Sequence, residues 1–489
     1  MTELDNVKIS LALFGYLVAA PLLGYLISRD RRLQCWTFGL LIFLTSCHIN
    51  KITFMIDSID WYRGATKGFE CSVLLVVAIA LLIAQALNGK ISRPWLAPGT
   101  LIYLLYVLAS LVSIFAAPEK LYVWMAALRF FQPVIIYVAA FHFFRDAGDL
   151  RVLMKSLVVT LCVQMVVVLK MKYLNHIYQA MGWFEHQNAL AMWSYMCGLP
   201  LLAMALGPSS RRDACWCWVG YAASAIIVES ALARASLVAF ALGTFLVVVF
   251  SLCDRVTVRR LVAPAIMGVI GIVGIGLSFK TIFNRFAENR NQESYELRLR
   301  LVETSKLMLH DSPIGIGWNN YALVTNPPWH YGDVIDNWEI ERGNTVNPDE
   351  AKPQPESLYW LILAETGYPG FITYMLFLGV TLWWCLRAAW YFRRTLLGAF
   401  LIGLSIALIL TYYHSTVERV LTQTKNLAMW LIFLGIVARV KVIIAQSSRL
   451  AAAVPQPEIS HCAWDPQPSL RMKMRSQPEF SAFYPVKGG

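Results

Sequence analysis

Charge is scarce in this sequence. Asp, Glu, Lys and Arg make up 15% of its 489 residues and hydrophobic residues 57%, with a mean hydropathy of +0.54. That balance excludes an ordinary soluble domain, in which charged residues approach a quarter of the chain. Acidic residues are the scarcer sign, 30 against 42 basic, for a net charge of +12. Polar stretches are equally scarce: a single long one, Thr281 to Glu356, interrupts the apolar runs, and it contains no cysteine. A disulfide framework on that stretch is therefore excluded. The cysteines lie instead in or beside apolar runs, apart from Cys462. Cys215 and Cys217 have no His or further Cys at ligand spacing, which favours packing over a metal site. A cleavable signal is not evident either, because Glu3 and Asp5 precede the first apolar run and Arg29 to Arg32 follow it. That run is expected to remain as an anchor.

What is present is a series of apolar runs long enough to cross a bilayer, about thirteen in all. They fall near residues 7–28, 34–49, 71–88, 99–116, 121–143, 153–170, 188–206, 214–230, 236–253, 262–280, 368–387, 395–414 and 426–443. The 34–49 run is short. The expected fold class is an all-α polytopic membrane protein with about 12–13 transmembrane helices and one long, partly helical loop. Lys and Arg in short loops mark the cytoplasmic side. Every second loop is basic, carrying Arg29, Arg31 and Arg32; Lys90 and Arg93; Arg145 and Arg151; Arg211 and Arg212; Arg255, Arg259 and Arg260; and Arg387, Arg393 and Arg394. This pattern places the N-terminus outside, the C-terminus with Arg439 and Lys441 inside, and the polar loop outside, which in a bacterial inner membrane is the periplasm. The same topology accounts for the net charge, so no nucleic acid is implied. From about Ala445 the chain turns rich in Pro, Gln and Ser, and 444–489 is expected to be a disordered cytoplasmic tail.

Reactive side chains gather on the outward face. Ser294 to His310 has helical spacing, with Ser294 as its cap and Asp311, Ser312, Pro313 and Gly315 as its stop. On that helix Arg300 has Glu296 and Glu303 as ion-pair partners, whereas Arg298 faces no carboxylate. Arg298 is either a solvated surface residue or a cation free for another task. Pro313-Ile-Gly315-Ile-Gly317-Trp318 reads as a structural turn with Trp318 at the membrane interface, since it lacks the Lys and strand context of a P-loop. Residues 357–366 form a short interfacial helix that Gly367 and Pro369 break. Glu356, at the start of that helix, either interacts with its dipole or acts as a general base. Arg129 lies inside the fifth run, which favours a function or an ion pair with Glu229. His186 and Asn188 stand at the outward start of the seventh run, and Arg234 in the turn between the eighth and ninth. Asp333 with Asp336, or Asp349 with Glu350, offer isolated carboxylate pairs without a dense cluster.

These segments together resemble the O-antigen ligase and polymerase family of membrane glycosyltransferases. Gly182, Phe184, His186, Asn188 and Leu190 match a Gly-x-Phe-x-His-x-Asn-x-Leu pattern, and the turn around Arg234 is similar to the family's Ser-Arg-Gly turn. Arg298, followed fifteen residues later by Pro313-Ile-Gly315-Ile-Gly317, looks like the family's Arg and Pro-Leu-Leu-Gly-x-Gly. Glu356-Ser357, nine residues and Gly367-Tyr-Pro-Gly370 correspond to His-Asn, nine residues and Gly-x-x-Gly. The likeness runs from about 180 to 443, with a weaker echo in Tyr62-Arg63-Gly64-Ala-Thr-Lys67-Gly68. It divides the chain into N-terminal transmembrane helices, 1–180, the ligase/polymerase-like region, 181–443, containing the loop 281–356, and the tail. One departure is informative: Glu356 stands where the ligases carry histidine, which favours a polymerase.

The resemblance implies transfer of a glycan from undecaprenyl diphosphate to a sugar hydroxyl, with no cofactor and no metal, in the bilayer and alongside other polysaccharide assembly proteins. The leaving diphosphate needs cations and the acceptor a base. Arg298 and Arg234 suit the first role and Glu356 the second; Arg129, His186, Asn188, Trp318 and Ser357 are the expected substrate contacts. Two alternatives stand beside the polymerase: a ligase that transfers glycan to lipid A core, and a flippase using the same arginines. No obvious repeat between halves supports the flippase.

Overall fold

The computed structural model describes residues 3–48, 53–59, 61–89, 91, 94–254, 260–262, 268, 290–346 and 352–453. The expected span 262–280, the Asp349 and Glu350 pair and all of the tail beyond 453 fall essentially outside these residues. Within them, nine helices are long and apolar enough to cross a membrane. The chain is an all-α, multi-pass membrane protein. In order, the elements are α1 (Leu4–Ser28), α2 (Arg31–Leu44), β1 (Thr53–Ile56), β2 (Phe69–Ser72), α3 (Val73–Leu87), α4 (Thr100–Phe115), α5 (Lys120–Phe143), α6 (Ala147–Leu174), α7 (Gln187–Leu206), α8 (Arg211–Ala231) and α9 (Arg234–Asp254). After the undescribed segment come α10 (Arg290–Asp311), α11 (Tyr321–Val324), α12 (Asp333–Glu341), α13 (Leu358–Tyr391), α14 (Leu396–His414) and α15 (Thr424–Ala453).

Helix α7 is the centre of the bundle, apolar on every face and buried along its whole length against α8, α9 and α14. Helix α15 packs on the second half of α5, and α13 on α4 and α14. The strands pair antiparallel, Thr53 opposite Ser72 and Ile56 opposite Phe69, in a hairpin that the helical periodicity gave no reason to expect. Helix α15 runs to Ala453, so the segment 444–453 is helical where a tail was expected.

The two ends of the bundle differ chemically. At the basic end short polar side chains cap helices: Asp30 accepts from Arg32 N, Asp146 from Gly148 N, Ser210 from Asp213 N and Thr395 from Gly398 N. Arg31 and Arg151 of that end pair with Asp149 and Asp213. The opposite end gathers the hairpin loop, the starts of α7 and α9, the α14–α15 turn and the segments 290–346 and 352–357.

One backbone device holds this second end together. Gly367, at φ +63°, breaks α13 into an outer piece and a spanning piece, as the Gly and Pro pair leads one to expect. The Pro313–Gly317 turn fills the break. Ile316 N donates to Ala364 O at 3.0 Å, Gly317 N to Glu365 O at 3.2 Å and Tyr368 N to Pro313 O at 3.0 Å, so carbonyls orphaned by the kink find donors. Gly315 and Gly367 face each other so closely that a Cβ on either would overlap the other's backbone. The outer piece of α13 is not interfacial, because Leu358, Leu361, Ile362, Ala364, Glu365 and Thr366 are all buried.

Candidate functional site

The polar loop is built as a clasp over the outer end. Helix α10 packs on the outer piece of α13 and on α12, and Arg342 at the end of α12 reaches Glu293 at 3.0 Å and Glu296 at 3.3 Å on α10. Arg300 keeps only Glu303 of its two expected partners, at 3.0 Å. The chain then returns in an extended segment whose alternate residues each hold a partner, as the two-residue period of extended backbone allows. Lys352 pairs with Asp336, Gln354 accepts from Arg419, and Glu356 pairs with Arg298. Asp336 is therefore committed to Lys352.

At the end of this segment lies a cluster of charges from three separate parts of the chain. Arg298 of α10 donates through Nε and Nη2 to Glu356 Oε2, and its Nη2 lies 3.5 Å from Glu418 Oε1 in the α14–α15 turn. Asn188, at the start of α7, donates to the same Glu418 oxygen at 2.6 Å. His186 caps α7, its Nδ1 accepting from Asn188 N at 3.3 Å. Arg419, next to Glu418, lies within electrostatic range of Glu356, Glu418 and Glu365. Arg298 is thus not the uncommitted cation its own helix implies: its neutralising carboxylates come from 58 and 120 residues away in sequence.

The environment sets the protonation of these groups. Burial pushes the Glu418 carboxyl up to about 7, reinforced by the Glu356 charge and opposed by Asn188, Arg298 and Arg419. Desolvation lowers His186 below its ordinary value, with Glu356 opposing, so the imidazole is neutral at neutral pH. Burial likewise lowers Arg419, against the pull of three carboxylates.

The remaining expected residues fall in different places. Arg129 does not pair with Glu229, whose partner is Lys172 at 3.0 Å. Its Nε lies 3.4 Å from Glu70 Oε2, Nη1 donates to Ala65 O and to Thr66 Oγ1 at 3.1 Å, and Nη2 to Thr422 O at 3.1 Å. It ties the hairpin loop to the α14–α15 turn. Trp318 is not at the interface. Its ring is buried between Phe130, 4.9 Å away, and Tyr106, 5.7 Å away, because Gly317 turns it inward beneath the kink. Ser357 is buried as the residue before α13, where its carbonyl accepts from Leu361 N. Arg234 opens α9, and the turn before it packs Ala231 and Ala233 on Ala191, one helical turn into α7 from Asn188.

The loop around Tyr62 also belongs to this assembly. Tyr62 OH donates to Asn319 O, Thr66 N donates to Asn319 Oδ1 at 3.0 Å and Asn319 Nδ2 to Thr66 O at 2.8 Å. Between this loop, α5 and the α14–α15 turn lies a polar cleft of about 210 Å³. Glu70, Arg129, Arg419 and Lys425 line it, with Phe184 and Glu185 on the α7 side.

Glu70, Glu418, Arg419 and Lys425 are the residues that reading the sequence missed. A signal existed for three of them: Glu418, Arg419 and Lys425 fall within eight residues between two apolar spans, in a chain with few charges and on the side where basic residues are depleted. Glu70 had no such mark.

Residues 219–375 match the family model described as O-antigen ligase. Arg234, Arg298, Trp318, Glu356 and Ser357 fall inside the matched region, while Arg129, His186, Asn188, Glu418 and Arg419 lie outside it. A comparison with curated proteins finds no match.

Proposed function

We propose, from the match of residues 219–375 to the O-antigen ligase family model, that the protein is a polysaccharide polymerase acting at the outer face of a bacterial inner membrane. Its donor is a glycan on undecaprenyl diphosphate and its acceptor a sugar hydroxyl. The observation that carries this reading is the convergence of Arg298, Glu356, Glu418 and Asn188 from α10, the returning loop, the α14–α15 turn and α7. A scaffold has no need of a buried carboxylate poised near neutrality beside an arginine fork.

The acceptor oxygen attacks the anomeric carbon, the bond from that carbon to the diphosphate oxygen breaks, and the electron pair leaves on the diphosphate. The acceptor's proton goes to a carboxylate. Arg298 and Arg234 hold the departing diphosphate, since a guanidinium matches phosphate oxygens in a bidentate fork. In the structure Glu356 occupies the Arg298 fork; an arriving diphosphate competes for that fork and frees Glu356. Glu418 is the better base of the two, because its pKa of about 7 allows it both to be ionised and to take a proton at neutral pH. Asn188 orients it by occupying Oε1, which leaves Oε2 for the acceptor. The neutral His186 ring, its Nδ1 held by the α7 cap, offers Nε2 to a sugar hydroxyl.

Glu356 in place of the ligases' histidine supports polymerase over ligase. The orientation is supported by the basic loops at one end and the charge cluster at the other. Purified protein in detergent, incubated with lipid-linked repeat units and separately with lipid A core, tests the reading. Elongation that is lost in Arg298→Ala is the expected result. Transfer to lipid A core replaces polymerase by ligase, and the absence of both reactions overturns the glycosyltransferase reading.

A further inference from the structure

We propose that the cleft between the Tyr62 loop and the α14–α15 turn is a binding subsite for an acidic sugar of the acceptor glycan, one carrying a single carboxylate such as a uronic acid. The proposal rests on the glycan-transfer reading above and assigns that site a substrate class.

Two cations line the cleft with no carboxylate in direct contact among the described residues; Glu185 acts on Lys425, and Glu365, Glu356 and Glu418 act on Arg419, only at longer range. Lys425 is 4% exposed, yet its Nζ donates only to Trp183 O at 2.5 Å and stands 4.4 Å from the centre of the Phe184 ring. Arg419 donates to Gln354 and has no carboxylate within 4.0 Å among the described residues. A buried charge of this kind is costly until an opposite charge reaches it, so the cleft is prepared for an anion. Neutral partners have already oriented both donors, which reduces the ordering cost of binding.

The charge of the lining selects which anion. Arg129, Arg419 and Lys425 face Glu70 and Glu185, leaving one net positive charge. Arg129 and Glu70 already neutralise each other at 3.4 Å. One surplus charge among the lining residues suits a monoanion better than a diphosphate. The Phe184 ring and the volume of about 210 Å³ fit a pyranose. Arg419 is adjacent to Glu418, so a sugar bound here presents its neighbouring hydroxyl to the proposed base. The donor diphosphate is assigned instead to Arg298 and Arg234, which do not line the cleft.

The test is calorimetric titration of the full chain in nanodiscs, without donor, using a glucuronate-terminated tetrasaccharide and the same compound with its carboxyl reduced to the alcohol. The acidic compound is expected to bind at least tenfold more tightly, with the difference collapsing in 0.5 M salt. Lys425→Met removes the preference at least tenfold. Should that variant fail to fold, Glu185→Gln on the exposed rim serves instead and is expected to tighten binding two- to fivefold. Equal affinity for the two compounds overturns the proposal, as does a cleft that binds inorganic pyrophosphate and not the glucuronate. Because no turnover is measured, failure here is separable from failure of the transferase reading, which is decided by elongation.

Discussion

Replacing Glu418 by Gln separates the two carboxylates that share Arg298. Gln keeps the shape and can still accept the Asn188 hydrogen bond at its carbonyl, so the loss is confined to charge and basicity. In the folded protein this carboxyl titrates near 7, against 4.5 ordinarily. A group whose folded pKa is raised holds its proton longer in the native state, so stability is highest below about 4.5 and falls as pH rises through 7. The difference corresponds to a cost of about 3 kcal/mol once the group is ionised. Glu418→Gln is therefore expected to raise the melting temperature at pH 8 and to leave it nearly unchanged at pH 5. Its effect on catalysis has the opposite sign. Loss of a general base is expected to lower the elongation rate by about 10²–10⁴-fold, and to remove the acid limb near pH 7 that the Glu418 carboxyl predicts for the wild-type protein. Glycan ladders resolved on gels from pH 5.5 to 8.5, beside thermal unfolding of the same preparations, measure both. Wild-type elongation with an unchanged acid limb in Glu418→Gln would refute the assignment and return the role to Glu356, which is half exposed and held by Arg298.

Two further substitutions probe the frame around this cluster. Arg129→Ala leaves Glu70 buried without its cation and cuts the ties to Ala65, Thr66 and Thr422; a destabilisation of about 3–5 kcal/mol is expected, read as a lowered melting temperature, and an unchanged one would mean that Arg129 is not structural. Gly367→Ala forces a left-handed backbone on a residue with a Cβ and drives it into Pro313. A loss of at least about 2 kcal/mol is expected, with activity falling because the loop helix α10 no longer seats on α13.

Much of the site was legible as a set of positions but not as a set of partners. Glu356, His186 and Asn188 stand out as polar residues near the starts of apolar spans, and Arg298 as a cation on the loop helix with no carboxylate at helical spacing. Arg298 was read as uncommitted because only helical neighbours at i±3 and i±4 can be seen along a sequence, and its partners come from other elements. The depth of Arg129 in its span points to a function or to an ion pair with Glu229; the structure pairs it instead with Glu70 on β2, since helix adjacency in a bundle is not written in span order. Trp318 shows the reverse error. A tryptophan beside glycines near a span end has the composition of an interface residue, and only the docking of its turn into the α13 kink turns the ring inward.

The sequence by itself determined that this chain is a multi-pass membrane protein and where the nine long apolar helices among its described residues lie, although shorter helices such as Val73–Leu87 and Thr100–Phe115 also read as full spans. Those properties follow from transfer free energies that are nearly additive along the chain and so can be read locally. It also determined the break in α13, because the glycine and proline there carry their backbone preferences with them. Only the tertiary structure decided which charges meet. Ion pairing and desolvation depend on distances between residues far apart in sequence, and the same Glu418 that would be an unremarked loop carboxylate in isolation becomes a group poised near neutral pH once Asn188, Arg298 and Glu356 surround it.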